Sequence, residues 1–304
     1  MSSPQPPGRP VPARWRHALA GRTVVVTGAA RGLGALLALR LSACGARVAL
    51  VGLEEERLGT VAGRCPGPAH HWAADVTDGP ALTAVARQVT ERFGGVDAVV
   101  ANAGIAVHGR LTDIEPDVFA RVIEVNLLGS AHTARAFLPA LLAARGHLLQ
   151  ITSVAALAPF PLLTAYGASK AGAEALALAL RAETAHRGVT VGVAYMSWTD
   201  TDLVRAADEY APLRAMRRSF PPPFDRIHPP EAVVDRLVAG LVRRSPYVYG
   251  QRWARGVRLV RPLVASVTAH AGPRLMRRMD PAFAASRDTV LRPLGGGGEA
   301  AWPG

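Results

Sequence analysis

The chain has 304 residues, 49% of them hydrophobic and 19% charged, a globular composition with length enough to bury a core of its own. No run of eighteen apolar residues occurs, and Cys44 and Cys65 stand without a CxxC or a histidine at ligand spacing, which argues against a transmembrane helix, a disulfide framework and a structural zinc site, so no metal is expected and the cytoplasm is the expected compartment. The net charge of +12 is concentrated: residues 241–304 carry eleven Arg against Asp280, Asp288 and Glu299, so a basic tail able to meet acidic surfaces follows a nearly balanced body.

In chain order, Met1 to Arg22 is rich in Pro and Arg and lacks the apolar core of a signal peptide, so residues 1–21 are expected to be a disordered lead. Thr23–Thr27 is a β-rich run, followed by a Gly-rich turn and a helical pattern from Leu33 to Cys44. Arg47–Val51 reads as a second strand, Glu54–Ala62 as a polar helix, and His71–Ala74 as a third strand ending at Asp75. Pro80–Phe93 has helical spacing, Asp97–Ala101 is a fourth strand, and Pro116–Ala144 carries one long helix or two with Asn126 inside. His147–Thr152, Val189–Tyr195 and Tyr247–Tyr249 complete the strands, with helices expected at Thr164–His186 and Glu231–Arg244. Nearly all-apolar strands alternating with helices imply right-handed βαβ units and a parallel sheet buried on both faces. The expected fold is therefore α/β, a Rossmann-type doubly wound parallel sheet in a single domain over residues 22–250. Residues 202–230, rich in proline, are expected to be a substrate lid, and 251–304 a basic C-terminal extension whose Gly295–Gly298 end is disordered.

Three places carry chemistry. Thr27-Gly28-Ala29-Ala30-Arg31-Gly32-Leu33-Gly34 is a TGxxxGxG turn between a strand and a helix, where glycines admit a pyrophosphate to a helix N-terminus. At the tip of the second strand, Gly52 holds the place of a ribose-binding acid and Arg31 is free to meet a 2′-phosphate. That leans towards NADP(H) over NAD(H), although Glu54 could reach round and reverse the preference. Tyr166-Gly167-Ala168-Ser169-Lys170 sets a phenol and the only lysine of the chain on one helix face. Bringing a tyrosine from ~10 to about 7 takes roughly 4 kcal/mol, which a cation at about 4 Å supplies at an effective dielectric near 20. Ser153 follows the fifth strand, where a hydroxyl faces the ligand crevice, and Asn126 sits mid-helix, where asparagine is unfavourable unless something rewards it.

Together these motifs resemble the short-chain dehydrogenase/reductase family in its single-domain form, over about residues 22–250. The resemblance implies a catalytic group of Ser153, Tyr166 and Lys170, with Asn126 holding a proton-relay water. It makes Tyr166 the general acid/base, Lys170 the ribose ligand that lowers the Tyr pKa, and Ser153 the group that orients the substrate oxygen. Hydride would pass between substrate carbon and nicotinamide. Thr27, Gly28, Arg31, Gly32, Leu33 and Gly34 would form the phosphate turn, Asp75 and Val76 the adenine contact, Asn102, Ala103 and Gly104 the stretch beside the cofactor, and Thr201 the carboxamide contact. Two positions depart from the family pattern: Ala101 replaces the first Asn of NNAG, and Met196-Ser197 replaces a Pro-Gly before Thr201, so the wall beside the nicotinamide must be rebuilt.

Ala155, Leu157, Phe160, Leu162, Met196 and Trp198 are candidate pocket residues, mostly apolar, which suggests a hydrophobic secondary alcohol and its ketone as substrate. In the extension Trp253, Val257, Val260, Val264 and Val267 make one helical stripe, with Arg252, Arg255, Arg258 and Arg261 mostly on the other face and a kink at Pro262. Such a helix over 251–267 can lie on an anionic membrane or pack on the domain or a neighbouring subunit. No nucleic-acid motif is present. The resemblance implies a homodimer or homotetramer. The competing function is a non-catalytic, nucleotide-binding regulatory or membrane-surface scaffold on the same fold.

Overall fold

The computed structural model describes residues 10–286, 292–293 and 295–302. Seven strands form one wholly parallel sheet in the order β3-β2-β1-β4-β5-β6-β7. They are β1 (Thr23–Thr27), β2 (Arg47–Gly52), β3 (Ala69–Ala73), β4 (Ala98–Ala101), β5 (His147–Ser153), β6 (Thr190–Met196) and β7 (Tyr247–Tyr249). All seven expected strands are present, β1 and β7 with the expected ends and the others with ends moved by one or two residues.

Two apolar layers explain why the inner strands are mainly apolar, while the edge strand β3, Ala69-His70-His71-Trp72-Ala73, is only half-buried. Alternate side chains of β1, Val24 and Val26 against Val25, enter opposite layers, as the strand period of two requires. One layer is closed by α1 (Ala13–Leu19), α2 (Gly32–Ala43), α3 (Glu55–Gly63) and α10 (Pro230–Val242), through Trp15, Leu37, Leu58 and Leu237. The other is closed by α4 (Gly79–Phe93), α5 (Pro116–Ile123), α6 (Gly129–Ala144) and α7 (Thr164–Thr184), through Leu82, Val122, Phe137 and Ala177.

The lead is not wholly disordered as expected. Trp15 and Leu19, four residues apart on α1, are both buried, and the Arg40 guanidinium covers the Trp15 ring at 5.6 Å. Residues 1–9 of that expectation lie outside the described residues. The stretch 116–144 is two helices joined by a π-helical turn, Glu124–Leu128. Within 202–230 lie α8 (Asp202–Glu209) and α9 (Ala211–Arg218), tied together by Arg217 to Asp208 at 2.7 Å.

The extension folds differently from the single kinked helix expected. It forms α11 (Ala254–Leu259) and α12 (Arg261–Ala284), broken at Val260. Pro262 lies in the first turn of α12, where a missing N–H costs nothing, so it starts a helix instead of bending one. The break splits the apolar stripe: Trp253 and Val257 turn inward, while Val260 and Val267 are exposed. The end expected to be disordered is, in its described part, a helix, α13 (Gly295–Ala300), with Ala301 buried beside it. Residues 287–291, 294 and 303–304 lie outside the description.

His147 and His108 are both buried, and burial pushes each imidazole down to about 4. The unfolded chain therefore binds protons between about pH 6.5 and 4 that the folded chain does not, and stability falls as pH drops through that window. Each histidine removes about 3 kcal/mol across it. Chemical denaturation as a function of pH should show the loss, and a His108→Gln variant should lose less than the parent over the same range.

Candidate active site

A cleft opens over the carboxyl ends of β1, β4, β5 and β6, where the strand order reverses between β1 and β4. Thr27 holds the two strand ends together: its Oγ1 accepts from the amides of Asn102 at 3.0 Å and Ala103 at 3.1 Å, and the Asn102 amide side chain donates to the Thr27 carbonyl at 2.9 Å. Gly28, with φ +64°, passes so close that a Cβ would lie 2.8 Å from Ala103 Cα; a Cβ on Gly34 would overlap the Gly28 carbonyl. The first turn of α2 has no side-chain cap, so its amides are left at the cleft wall for an anion. Of the sequence-predicted cofactor residues, all but Thr27 line the cleft: Gly28, Arg31, Gly32, Leu33, Gly34, Asp75, Val76, Asn102, Ala103, Gly104, Tyr166, Lys170 and Thr201. An open strand-to-helix turn, an uncapped helix start and a long cleft fit a dinucleotide.

Arg31 and Glu54, which the sequence set against each other as phosphate and ribose ligands, bond to one another. Arg31 Nε donates to Glu54 Oε2 at 2.8 Å, and a second guanidinium nitrogen contacts Oε1. The Glu54 hydrogen bond holds the Arg31 pKa above its usual value. Arg57 lies 3.1 Å from the same carboxylate. At Asp75, burial raises the carboxyl pKa, but the Thr77 amide at 2.8 Å and Arg121 at 2.8 Å outweigh it and leave the net shift downward.

Across the cleft, Tyr166 and Lys170 project from the first two turns of α7 and Ser153 ends β5. The Lys170 ammonium stands 5.8 Å from the Tyr166 ring centre and donates to the Ile151 carbonyl at 3.5 Å. Burial pushes Lys170 down to about 8. Burial also raises the Tyr166 phenol, against the pull of the Ser153 hydroxyl within its hydrogen-bonding reach. The phenol is therefore protonated at neutral pH, and a lowered Tyr pKa is not a property of this arrangement by itself. Asn126 is fully buried and its side chain is engaged: Oδ1 accepts from the Ile105 amide at 2.8 Å, and Nδ2 donates to the Ile105 carbonyl and to Ser169 Oγ, each at 2.9 Å. It ties the segment after β4 to α7, and the π-helical turn gives it that direction.

The apolar candidates separate. Met196 lines the cleft, as do Ser197 and Thr199. Leu157 is buried in the core, Ala155 and Leu162 are likewise buried, Trp198 packs against that core, and Phe160 stacks edge-on with Phe220 at 5.5 Å. The rebuilt Met196-Ser197 loop has a prop that the motif search missed. Gln251, buried, accepts from the Ser197 amide at 2.9 Å and donates to Thr199 Oγ1 at 3.3 Å. A second unforeseen contact starts from Glu174, one turn beyond Lys170 and buried. Tyr195 donates to it at 2.6 Å, and Arg261 pairs with it at 3.0 Å while donating to the Ala156 carbonyl at 3.2 Å. Arg261 thus clamps the helix of Lys170 to the turn after Ser153. Third, Gly297, Gly298, Ala300 and Ala301 wall the nucleotide side of the cleft, and Arg121 donates to the Ala301 carbonyl at 2.8 Å. Spacing rules give no signal for a glycine run acting as a wall.

The short chain dehydrogenase family model matches residues 22–211. The chain belongs to that family. An uncharacterized oxidoreductase of Staphylococcus epidermidis is 35% identical over 188 residues, covering 62% of this chain and 82% of that protein. The bovine dehydrogenase/reductase SDR family member 7B is 36% identical, with 62% of each chain covered. The probable oxidoreductase EphD of Mycobacterium tuberculosis is 33% identical over 74% of this chain, which spans only 40% of EphD. A crystal structure of a metagenomic short-chain oxidoreductase in complex with NADP superposes with a TM-score of 0.56 at 36% identity, over 59% of this chain and 83% of the other. As a short-chain dehydrogenase the protein is an NAD(P)-dependent oxidoreductase. Among the described residues no group of three His, Cys, Asp or Glu is arranged for a metal, and no helix is long and apolar enough to cross a membrane.

Two outcomes test this site of the short-chain dehydrogenase. The folded pKa of Lys170, about 8, lies below the ordinary lysine value, so the unfolded chain binds the extra proton between about pH 8 and 10.5 and stability rises with pH through that window. Denaturation of Lys170→Met and parent without nucleotide should converge as pH rises from 8 to 10, closing a gap of up to about 3 kcal/mol. Arg261→Ala, which leaves the buried Glu174 with Tyr195 alone, should cost about 1–2 kcal/mol in the same assay, since Arg261 is itself half-exposed, and Arg261→Lys should recover part of it.

Proposed function

We propose that the protein reduces a hydrophobic ketone to its secondary alcohol, reversibly, with NADP(H) preferred over NAD(H). The observation that carries this reading is that Tyr166 and Lys170 line the cleft at the end of β5, with the Ser153 hydroxyl within hydrogen-bonding reach of the Tyr166 phenol. When bound, the nicotinamide supplies or accepts the hydride. Ser153 orients the substrate oxygen, and Tyr166 gives its proton to the carbonyl oxygen in reduction and takes it back from the alcohol in oxidation. The burial-raised phenol keeps its proton at neutral pH, the form that reduction consumes. Lys170 limits the cost of the phenolate left behind and serves as ribose ligand; Asn126 keeps α7 in register with the wall after β4 and is read as the anchor of a relay water. Gly28, Gly32 and Gly34 would bear the diphosphate, and Asp75 and Val76 the adenine.

NADP(H) is favoured because two guanidiniums, Arg31 and Arg57, stand at Glu54 beside the tip of β2 and can turn to a 2′-phosphate, Arg31 giving up for it its pairs with Glu54 and, at 3.9 Å, with Asp202. The relative that was crystallised with NADP supports the same preference. The apolar lining that Met196 forms with Leu203 and Val204 supports a hydrophobic substrate. Homodimer or homotetramer formation is read from the family. The scaffold alternative keeps the nucleotide site and drops turnover, and no observation favours it over catalysis.

The deciding assay is nucleotide fluorescence titration combined with a panel of hydrophobic ketones. The parent should bind NADPH more tightly than NADH, and Arg31→Ala should abolish the difference. Tyr166→Phe should lose about 10²–10⁴-fold in turnover while keeping nucleotide affinity. Full turnover in Tyr166→Phe, or binding of neither nucleotide, overturns the reading.

A further inference from the structure

Beyond the cleft, the most unusual surface of the molecule is the outer face of α11 and α12. Leu259, Val260, Leu263 and Val267 are exposed there, at 70%, 49%, 64% and 63%. Val260, Leu263 and Val267 follow at spacings of three and four, so they make one stripe. Eleven residues beyond Leu263 and Val267, three helical turns on, Arg274 and Arg278 come round to the same side. The opposite side of α12 is committed: Leu275, Met276, Met279 and Phe283 pack on the core, so the helix cannot roll to hide its apolar stripe.

The surroundings are cationic. Residues 251–286 hold seven Arg and a single acid, Asp280. Arg258 and Arg261 turn inward, to the Tyr247 ring at 3.5 Å and to Glu174. Arg252, Arg255, Arg277 and Arg278 are exposed and make no ion pair among the described residues. An exposed apolar stripe beside unpaired guanidiniums is the complement of a bilayer whose hydrocarbon lies under anionic headgroups. A second copy presenting the same face would set like charge against like.

We propose that α11 and α12 dock this protein on an anionic lipid bilayer, with Leu259, Val260, Leu263 and Val267 entering the headgroup region and the arginines meeting the phosphates. The docked helix lies beside the substrate end of the cleft: Arg261 reaches the Ala156 carbonyl, and a Cβ on Gly272 would come 4.0 Å from Pro161. Docking therefore brings the lid and the Ser153 turn close to the lipid phase, from which a hydrophobic ketone can enter without crossing water.

The test is vesicle flotation of the full chain, at low and high salt, with no substrate present. Vesicles of phosphatidylcholine mixed with phosphatidylglycerol should carry the protein, and high salt should release it. A Leu263→Glu/Val267→Glu variant should bind at least about tenfold more weakly. Arg274→Gln and Arg278→Gln should each weaken binding about fivefold. NADPH titration of the same samples checks that each variant is folded, and both glutamates go to solvent-facing positions. No flotation of the parent at low salt, equal binding to pure phosphatidylcholine, or undiminished binding of the double variant overturns the proposal. So does a concentration-dependent dimer that the double variant splits in the absence of vesicle binding, which would give the stripe to a second copy.

Discussion

Everything functional in this molecule depends on the point where β1 and β4 lie side by side and their chains depart towards opposite faces of the sheet. No helix can cover the gap between the two departing segments, so a crevice is unavoidable there. The Thr27 hydroxyl closes its bottom by joining both strand ends, which fixes how near Gly28 comes to Ala103. The same crevice is walled by the uncapped start of α2, by Arg31 and by the buried Lys170. The site is less a set of residues placed on a scaffold than what remains when a parallel sheet reverses its winding order.

Much of this was legible in the chain. Apolar runs of four to seven residues separated by helical spacings specify the sheet, because doubly covered strands leave no polar face to confuse the period. The Gly turn and the Tyr166–Lys170 pair were legible because each joins a residue type to a fixed spacing within one element. Legibility ended where a contact runs between elements distant in sequence. Nothing local says that Arg31 and Glu54, 23 positions apart, neutralise each other instead of waiting for a ligand. Nor does a helical pattern through Asn126 reveal the π-helical turn, since one extra residue in a turn alters direction and not composition. The extension was misread for a related reason. A proline ordinarily bends a helix, but one placed in a first turn begins it, and the break at Val260 split the stripe, leaving Trp253 and Val257 inward and turning Val260 and Val267 outward.

The extension also changes what counts as the catalytic unit. The family match covers residues 22–211, yet Gln251 supports the loop that replaces Pro-Gly, Arg261 clamps α7 through Glu174, and Gly297 to Ala301 wall the nucleotide cleft. Each reaches the matched residues through a polar contact: Gln251 to Ser197 and Thr199, Arg261 to Glu174, and the Ala301 carbonyl to Arg121. Substituting Met196-Ser197 for a rigid dipeptide is tolerable because a buried amide takes over the task of holding that backbone. Charge follows the same logic: Arg261 and Arg258 are matched to Glu174 and to the Tyr247 ring, whereas Arg252, Arg255, Arg277 and Arg278 make no ion pair among the described residues.

The wall made by Gly297 to Ala301 has a consequence in time as well as space. The turn after β1, the tip of β2 and Asp75 lie within the first 76 residues, and the bond that seals the cleft joins Arg121 to a partner 180 positions later. At about 5–20 residues per second, synthesis separates Val76 from Gly297 by about ten to forty seconds. A growing chain thus passes through a stage in which the nucleotide side of the cleft is unwalled, whereas the complete chain presents that side with Gly297 to Ala301 as part of its lining. The nucleotide-side wall is therefore the last part of the site to be synthesised, long after the turn and strand tips that it faces.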